Sequence, residues 1–578
     1  MNIKEFLSKH IKTALIHSGA PINSNPLITT STKTNRGHYQ INGIIKIAKL
    51  LNITPVSLAK KVKSNLNLDD ILNKIEISNQ GFLNIFLNPQ WIQKQLEKII
   101  NCPRLGIEKT KKPQKIIIDY SSPNIAKEMH IGHLRSTILG DSMAKIMQLY
   151  GHQVTRVNHI GDWGTQFGML LSYLNQEKEH ETIPKIQLKN LEQYYKKSKI
   201  MYDTNASFAK LSRQYVVRLQ NKEKKIYSIW KQIVRLTILE NEKIYKMLNT
   251  TLRTQDIKGE SFYHNMVPGI IEDLKNKNLI TEQNGSLIVL LDTIKNKQNN
   301  IMGIVIQKKD GAYLYASTDI ACIKYRCQIL HADQILYFID NRQIQYLKNI
   351  LEISKKANYI NNHIKIKHYH FGMILSKNHK PFKTRSGNTI KLLDLLQESI
   401  SRTKKIVRNK NPQLSKEKIE TISKKIGIGS IKYSDLSKKR THDYIFDWDQ
   451  MLSLEGNTAL YIQYTYTRII SVLEKNKTSI FKLPNKIYLT YDLEIKLGVK
   501  ILQFNEIIQH VSNVGYIHLI CNYLYELSVI YSSFYEQYSI LFEQKEHIKI
   551  TRIKLSLLTA KTIKKGLYLL GIRTISYL

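Results

Sequence analysis

The chain is poor in cysteine. It has four in 578 residues (Cys102, Cys322, Cys327 and Cys521), and none forms a C-x-x-C pair. That argues against a disulfide framework and a paired-cysteine zinc site, and predicts reduced, mostly buried thiols. Long apolar runs are missing too. None approaches the roughly 18 residues that cross a bilayer. The opening MNIKEFLSKHIKTALIHSG lacks the apolar stretch and small-residue cleavage site of a secretory signal. The expectation is a cytoplasmic protein with no membrane partner. Acidic residues are scarce: 46 Asp and Glu against 87 Lys and Arg leave a net charge of +41. Such a chain attracts polyanions through phosphate neutralisation and counterion release. AT-rich coding also produces the observed richness in Lys, Ile, Asn and Tyr, so charge alone does not decide the partner. The sequence has no G-x-x-x-x-G-K-[ST] and no usable G-x-G-x-x-G, so a nucleotide site here needs another architecture.

The length implies several domains. Residues 1–100 read as a small α+β domain, with helical spacing in YQINGIIKIAKLLN and a strand–turn–strand in ISNQGFLNIFL. Residues 110–400 read as an α/β domain. Ile116–Ile118 is a run suited to a strand buried on both faces. A helix follows, with Gly151 as its cap, then a strand in QVTRVNHIGDWG. This βαβ unit predicts a doubly wound, Rossmann-like parallel sheet. A charged helical insertion is expected near 170–250. Further strands are expected in SLIVLLD, in GIVIQKKDGAYLYAS around an Asp310-Gly311 hairpin turn, and in QILYFID. Residues 400–578 carry helical apolar stripes throughout, the pattern of an all-α bundle.

The stretch SSPNIAKEMHIGHLRSTILG puts His130, Gly132 and His133 where the first parallel strand hands over to a helix. Ligands of open α/β sheets bind there. A helix N-terminus offers N–H groups and a positive dipole to phosphate, and Gly132 lets a ligand approach the backbone. H-x-G-H alone arises by chance in roughly 2% of chains of this composition, so its placement carries more weight than its letters.

With those residues in view, the sequence resembles the class I aminoacyl-tRNA synthetases, whose signature is His-Ile-Gly-His, and the arginyl-tRNA synthetases in particular. NHIGDWGTQFG, GESFY, FKTRSG and YIQYTYTRI match in order along the whole chain. The resemblance implies an ATP-dependent ligation of L-arginine to its tRNA through an arginyl-adenylate, with magnesium on the phosphates and the protein a monomer. It implies an ATP-binding segment of Pro123, Asn124, Ile125, Ala126, Lys127, Glu128, Met129, His130, Ile131, Gly132 and His133. It implies catalytic charge from Lys127, His130, His133, Lys383 and Arg385. The second class I signature, Lys-Met-Ser-Lys-Ser, is altered here. HKPFKTRSGNTIKL has Thr384 where the second lysine belongs, and in the family the lysine just before the first signature, here Lys127, is thought to substitute. Arginine binding falls to Glu260 and Asp319 on the guanidinium, Tyr315 over it, and Asn124 and Gln343 at the α-amino end; a planar cation calls for planar acceptors. Contacts to tRNA fall to Asn79, Phe82 and Asn84 in the N-terminal domain, with a core role for Phe82 as the alternative, and to Tyr461, Gln463, Tyr464, Tyr466 and Arg468 in the helical one, some of which must instead be core. Two rivals stay open: another H-x-G-H nucleotidyl-transferring enzyme, and an inactive RNA-binding scaffold derived from a synthetase.

Overall fold

The computed structural model describes residues 2–31, 37–178, 188–295, 301–382, 390–476 and 484–577. The N-terminal unit runs α1 (Ile3–His17), β1 (Ile28–Thr30), β2 (Tyr39–Ile41), α2 (Gly43–Leu50), α3 (Pro55–Ser64), β3 (Leu72–Ile77), β4 (Leu83–Leu87) and α4 (Pro89–Ile100). Its antiparallel sheet has the order β1-β2-β4-β3. The predicted Asn79-Gln80-Gly81 turn closes the β3–β4 hairpin. The Gly81 N–H donates to the Ser78 carbonyl at 2.8 Å, and its φ of +87° suits a glycine.

The central unit begins with β5 (Lys115–Asp119), α5 (Gly132–Leu149) and β6 (Gln153–Val157). The insertion follows as α6 (Thr165–Lys178), α7 (Leu188–Thr204), α8 (Ala206–Gln220) and α9 (Lys224–Met247). Then come α10 (Glu260–Tyr263), α11 (Val267–Asn276), β7 (Thr281–Gln283), β8 (Ser286–Lys295), β9 (Ile301–Gln307), α12 (Tyr315–Lys324), β10 (Gln334–Tyr337), α13 (Ile344–Lys356) and β11 (Lys365–His368). Strands β11-β10-β5-β6 form one sheet, parallel throughout. The chain winds from β5 to β6 in one direction and returns to β10 on the other side. The switch point, where such sheets hold ligands, is therefore the carboxyl end of β5. Ile116 and Ile118 enter the core shared with α5, and Ile117 enters the opposite one beneath α12 and α13. A strand's two-residue period forces that division.

The C-terminal part runs β12 (Ile374–Leu375), α14 (Leu392–Lys410), α15 (Lys416–Leu436), β13 (Tyr444–Ile445), α16 (Trp448–Met451), α17 (Ala459–Lys475), α18 (Asp492–Leu502), α19 (Phe504–Val514), α20 (His518–Gln537) and α21 (Glu546–Leu569). One continuous apolar core joins α1 and the N-terminal sheet to α5 and to α18–α21.

The layered α/β architecture, the small α+β unit and the helical C-terminus expected from the sequence are all present. Two local expectations change. After the turn at Gly311 the second arm of the hairpin shrinks to a single bridge, Gln307 to Tyr313, and YLYAS opens α12 instead of a strand. Ala316, Ile320, Ala321 and Ile323 are buried along it, a helical spacing that the short alternating stretch concealed. The helical C-terminal part also contributes β13, which pairs in parallel with β12. All four cysteines are free, and three are buried.

Gly140, inside α5, sets two effects against each other. Alanine there gains about 1 kcal/mol of helix propensity. Its Cβ would lie 2.3 Å from Cβ and Cγ of Tyr120, and overpacking costs about 1–3 kcal/mol. Crowding wins, so Gly140→Ala lowers the urea midpoint of unfolding. The control is Gly269→Ala on α11, where nothing lies within 4 Å of the new Cβ; it leaves the midpoint unchanged or raises it.

Candidate active site

Beyond β5 the backbone turns through Ser121 (φ +74°), Ser122 (φ +46°) and, after an extended bridge, Ala126 (φ +63°). Left-handed conformations cost non-glycine residues about 1–2 kcal/mol each, and all three are tied down. The Ser121 N–H donates to Ser136 Oγ on α5 at 2.9 Å. The Ser122 N–H donates to Asn158 Oδ1, just past β6, at 3.0 Å. The Ala126 N–H donates to Thr237 Oγ1 on α9 at 3.2 Å. Between them Asn124 bridges to Gly161, with the Ile125 N–H on the Gly161 carbonyl at 3.0 Å. The insertion thus buttresses the loop from below. Pro123, Ile125, Ala126, Met129 and Ile131 are buried in it, while Asn124 and Gly132 are exposed.

The loop delivers two imidazoles. The His130 and His133 rings lie 4.0 Å apart between centroids. The Gly132 N–H donates to His130 Nδ1 and the His130 N–H donates to His133 Nδ1, both at 3.1 Å. Each Nδ1 is therefore an acceptor, which leaves the proton of the neutral ring on Nε2. Burial, then Lys127 and Arg342, lowers the His130 pKa. Burial and the neighbouring His130 push His133 down to about 3. Two neutral Nε2–H donors result. This differs from the sequence expectation of a bare helix N-terminus, because the first N–H of α5 is already engaged by a ring. Gly132 is needed for that same fold-back: a Cβ there would meet His130 Cε1 at 2.9 Å.

The segment 390–392 pairs with this loop. The Ile131 N–H reaches the Ile390 carbonyl at 3.0 Å, and the Leu392 N–H reaches the Met129 carbonyl at 2.9 Å. Lys391 pairs with Glu128. The Lys127 ammonium lies 4.2 Å above the Tyr195 ring of α7. Lys383 and Arg385 lie outside the described residues.

Across the switch point the structure gathers a second set. Tyr346 Oη donates to Asp319 Oδ2 at 2.6 Å, and His159 Nε2 stands 3.6 Å from Asp319 Oδ1. Glu260 begins α10, where Asp162 accepts from both the N–H and the hydroxyl of Ser261, at 2.9 and 2.6 Å. Gly259 permits this contact, since a Cβ would meet both Asp162 oxygens at 2.6 Å. Glu260 Oε2 is buried with no hydrogen-bond partner. Its carboxyl is pushed up to about 8 by burial, with Asp319 and Asp162 raising it further against the pull of His159. Asp319 is raised by burial, opposed by His159 and Tyr346. Tyr315 is half exposed, and the Glu260 carboxylate adds to burial in raising its hydroxyl. Gln343 is exposed in the turn beyond β10, one helical turn before Tyr346. Glu260, Tyr315 and Asp319 therefore come together, with Asn124 and Gln343 on neighbouring loops at the same end of the sheet.

The remaining candidates divide. Asn79 is exposed and Phe82 half-buried at the β3–β4 turn. Asn84 is buried within the sheet, accepting from Gln40 at 2.9 Å, so its amide oxygen holds the sheet together. On α17, the Arg468 guanidinium lies between Tyr464 and Tyr535, 4.7 and 5.2 Å from their rings. Tyr461 packs edge-on against Tyr525. Tyr466 is buried. Gln463 is removed from the candidate surface: it is 1% exposed, and its amide joins the Arg573 carbonyl and the Ile575 N–H. It anchors the C-terminal tail.

Family models match in succession: "Arginyl tRNA synthetase N terminal domain" over residues 2–87, "tRNA synthetases class I (R), catalytic domain" over 95–448 and "DALR anticodon binding domain" over 462–578. The arginine–tRNA ligase of Buchnera aphidicola subsp. Acyrthosiphon pisum (strain Tuc7) is 53% identical over 575 residues, covering 100% of both chains. That of Serratia proteamaculans (strain 568) is 48% identical, also over 100% of both. The chain belongs to the arginyl-tRNA synthetase family. The crystal structure of the Plasmodium falciparum arginyl-tRNA synthetase superposes with a TM-score of 0.86 at 29% identity, covering 100% of this chain and 99% of that one.

Sequence reasoning missed three residues that the structure brings to this end of the sheet: His159, Asp162 and Tyr346. The first two stand in NHIGDWG at the carboxyl end of β6, so their place in a turn beyond a parallel strand was the available signal.

Glu260, pushed up to about 8, holds a proton at pH 7, and a guanidinium bound against it would displace that proton. Arginine binding should therefore release protons. Its Kd should improve as pH rises towards 8, by up to about tenfold per unit, and level off above. Calorimetry in two buffers of different ionisation enthalpy measures the release. Glu260→Gln should abolish both effects.

Proposed function

We propose that this chain ligates L-arginine to its cognate tRNA in two steps. The arginine carboxylate attacks the α-phosphorus of ATP, pyrophosphate leaves, and arginyl-adenylate forms. The terminal ribose hydroxyl of tRNA then attacks the arginyl carbonyl and AMP leaves. No protein nucleophile is required. The chain positions the reactants and complements charge on the phosphoryl oxygens. His130 and His133 donate through Nε2, and Lys127, Lys383 and Arg385 supply cationic charge. Glu260 and Asp319 clamp the guanidinium, Tyr315 covers it, and Asn124 and Gln343 receive the α-amino end. Lysine lacks the planar fork and is rejected. The observation that carries this reading is the unpartnered, buried Glu260 oxygen beside Asp319, at the sheet end where the two imidazoles stand.

Magnesium arrives with the triphosphate as part of the substrate. Among the described residues no group of three acidic, histidine or cysteine side chains forms a cage for it, and magnesium on nucleotides draws its ligands mainly from phosphate and water. The chain is proposed to act as a monomer. No helix among the described residues is long and apolar enough to cross a membrane; the cytoplasm is the proposed place of action. We divide the labour as 1–100 for the tRNA's outer corner, 110–400 for catalysis and 400–578 for the stem and anticodon. Phe82, and the ladder of Tyr464, Arg468 and Tyr535, offer stacking and cationic surfaces of the kind that unpaired bases bind.

The deciding experiment is arginine-dependent ATP–pyrophosphate exchange with and without tRNA, followed by charging across amino acids. Arginine alone should be loaded; loading of another amino acid, or of none, overturns the reading. His133→Ala should slow adenylate formation about 100- to 1000-fold with tRNA affinity nearly intact, and an unaltered rate removes it from the site. Phe82→Ala should raise the KM for tRNA and leave the KM for arginine unchanged; a variant indistinguishable from the parent assigns Phe82 to the domain core.

A further inference from the structure

Arg135 stands two residues beyond His133 on α5 and is 1% exposed. Burying a guanidinium is costly unless it is paired and hydrogen-bonded. Its Nε meets Asp435 of α15 at 3.0 Å, and that carboxylate is buried as completely. Its Nη1 donates to the Gly372 carbonyl at 2.8 Å and to the His442 carbonyl at 3.1 Å. The Tyr444 ring lies 5.3 Å from the guanidinium carbon.

Those partners form one strap. The Gly372 N–H bonds the Arg440 carbonyl at 2.9 Å, and the Met373 N–H bonds Asp443 Oδ1 at 2.6 Å. Strands β12 and β13 pair in parallel. The strap continues to Phe382, whose ring stacks on Phe446 at 5.0 Å and whose N–H reaches the Ile374 carbonyl at 3.1 Å. The chain next returns at Ile390–Leu392, bonded to the backbone of Met129 and Ile131. Arg135, itself on the helix that presents the imidazoles, thus touches the strap and α15.

We propose that Arg135 and Asp435 are a positioning pair for adenylate formation: they fix the imidazole-bearing end of α5 against the strap and α15, so that the C-terminal helices set the geometry of the nucleotide site without touching the nucleotide. This rests on the arginine-activating reading above. Neither residue contacts a reacting atom. A fork is needed because one guanidinium serves a carboxylate and two carbonyls at once. The pair therefore acts on the arrangement of the phosphoryl donors, while the arginine cup on α10 and α12 and the outer tRNA surfaces stay as they are.

The test uses the full chain carrying Asp435→Asn, with Arg135→Lys as a second variant that keeps the charge and loses the fork. Exchange is measured with saturating tRNA, together with the KM for arginine and the Kd for tRNA. The expected result is a tenfold or greater fall in the exchange kcat, with arginine KM and tRNA Kd within twofold of the parent and partial recovery in Asp435→Glu. If Asp435→Asn does not fold, Arg135→Lys decides by the same split. An exchange kcat within twofold of the parent in a folded variant overturns the proposal. So does a parallel loss of kcat, arginine affinity, tRNA affinity and melting temperature, which marks a merely structural contact. An inactive parent protein would instead refute the functional reading itself.

Discussion

The site depends on a short piece of backbone held where it does not relax. Ser121, Ser122 and Ala126 adopt left-handed conformations that cost about 1–2 kcal/mol each, and side-chain acceptors from α5, the residue just past β6 and α9 hold their N–H groups there. The loop thereby carries the chain off the sheet, exposes Asn124 and folds His130 back over Gly132. The helical insertion is in this sense part of the catalytic unit: Thr237 lies 111 residues from the amide it holds.

The electrostatics divide the site in two. On the phosphate side burial keeps both imidazoles neutral, so they act as oriented donors, and full positive charge comes from lysine and arginine. On the amino-acid side burial keeps Glu260 partly protonated until a cation arrives. Burial leaves the two imidazoles and Glu260 less charged than their residue types suggest, while His159, raised to about 10 against its burial by its neighbours Cys322 and Asp319, stays cationic beside the acidic pair. The substrate supplies the missing charge. On the proposed function, a guanidinium binding at this carboxylate releases a proton.

The parallel sheet, the insertion and the helical C-terminus were legible because their apolar periods are long and strong. The histidine signature was legible because its four letters fall where a strand gives way to a helix. What stayed hidden is of another kind. Asp162 works through Ser261, 99 residues away, and Tyr346 through Asp319, 27 residues away; no local pattern joins such pairs. Gln463 is one of five candidates on one helix, some of which must be core, and no local pattern tells that it faces the C-terminal tail. The start of α12 was misjudged because YLYAS is short enough to fit either period. The use of Gly132 was legible as a glycine requirement but not as room for its own histidine neighbour.

The central claim is that two neutral imidazoles, locked as Nε2–H donors, meet the nucleotide. Nitrogen-15 NMR of the histidine side chains, followed from pH 8 to 5 with and without ATP, tests it most directly. The account predicts that His133 stays neutral across this range with Nδ1 unprotonated, and that the Nε2 signals of both rings shift when ATP is added. A His133 that gains a proton near pH 6.5, together with ring signals indifferent to ATP, would contradict it.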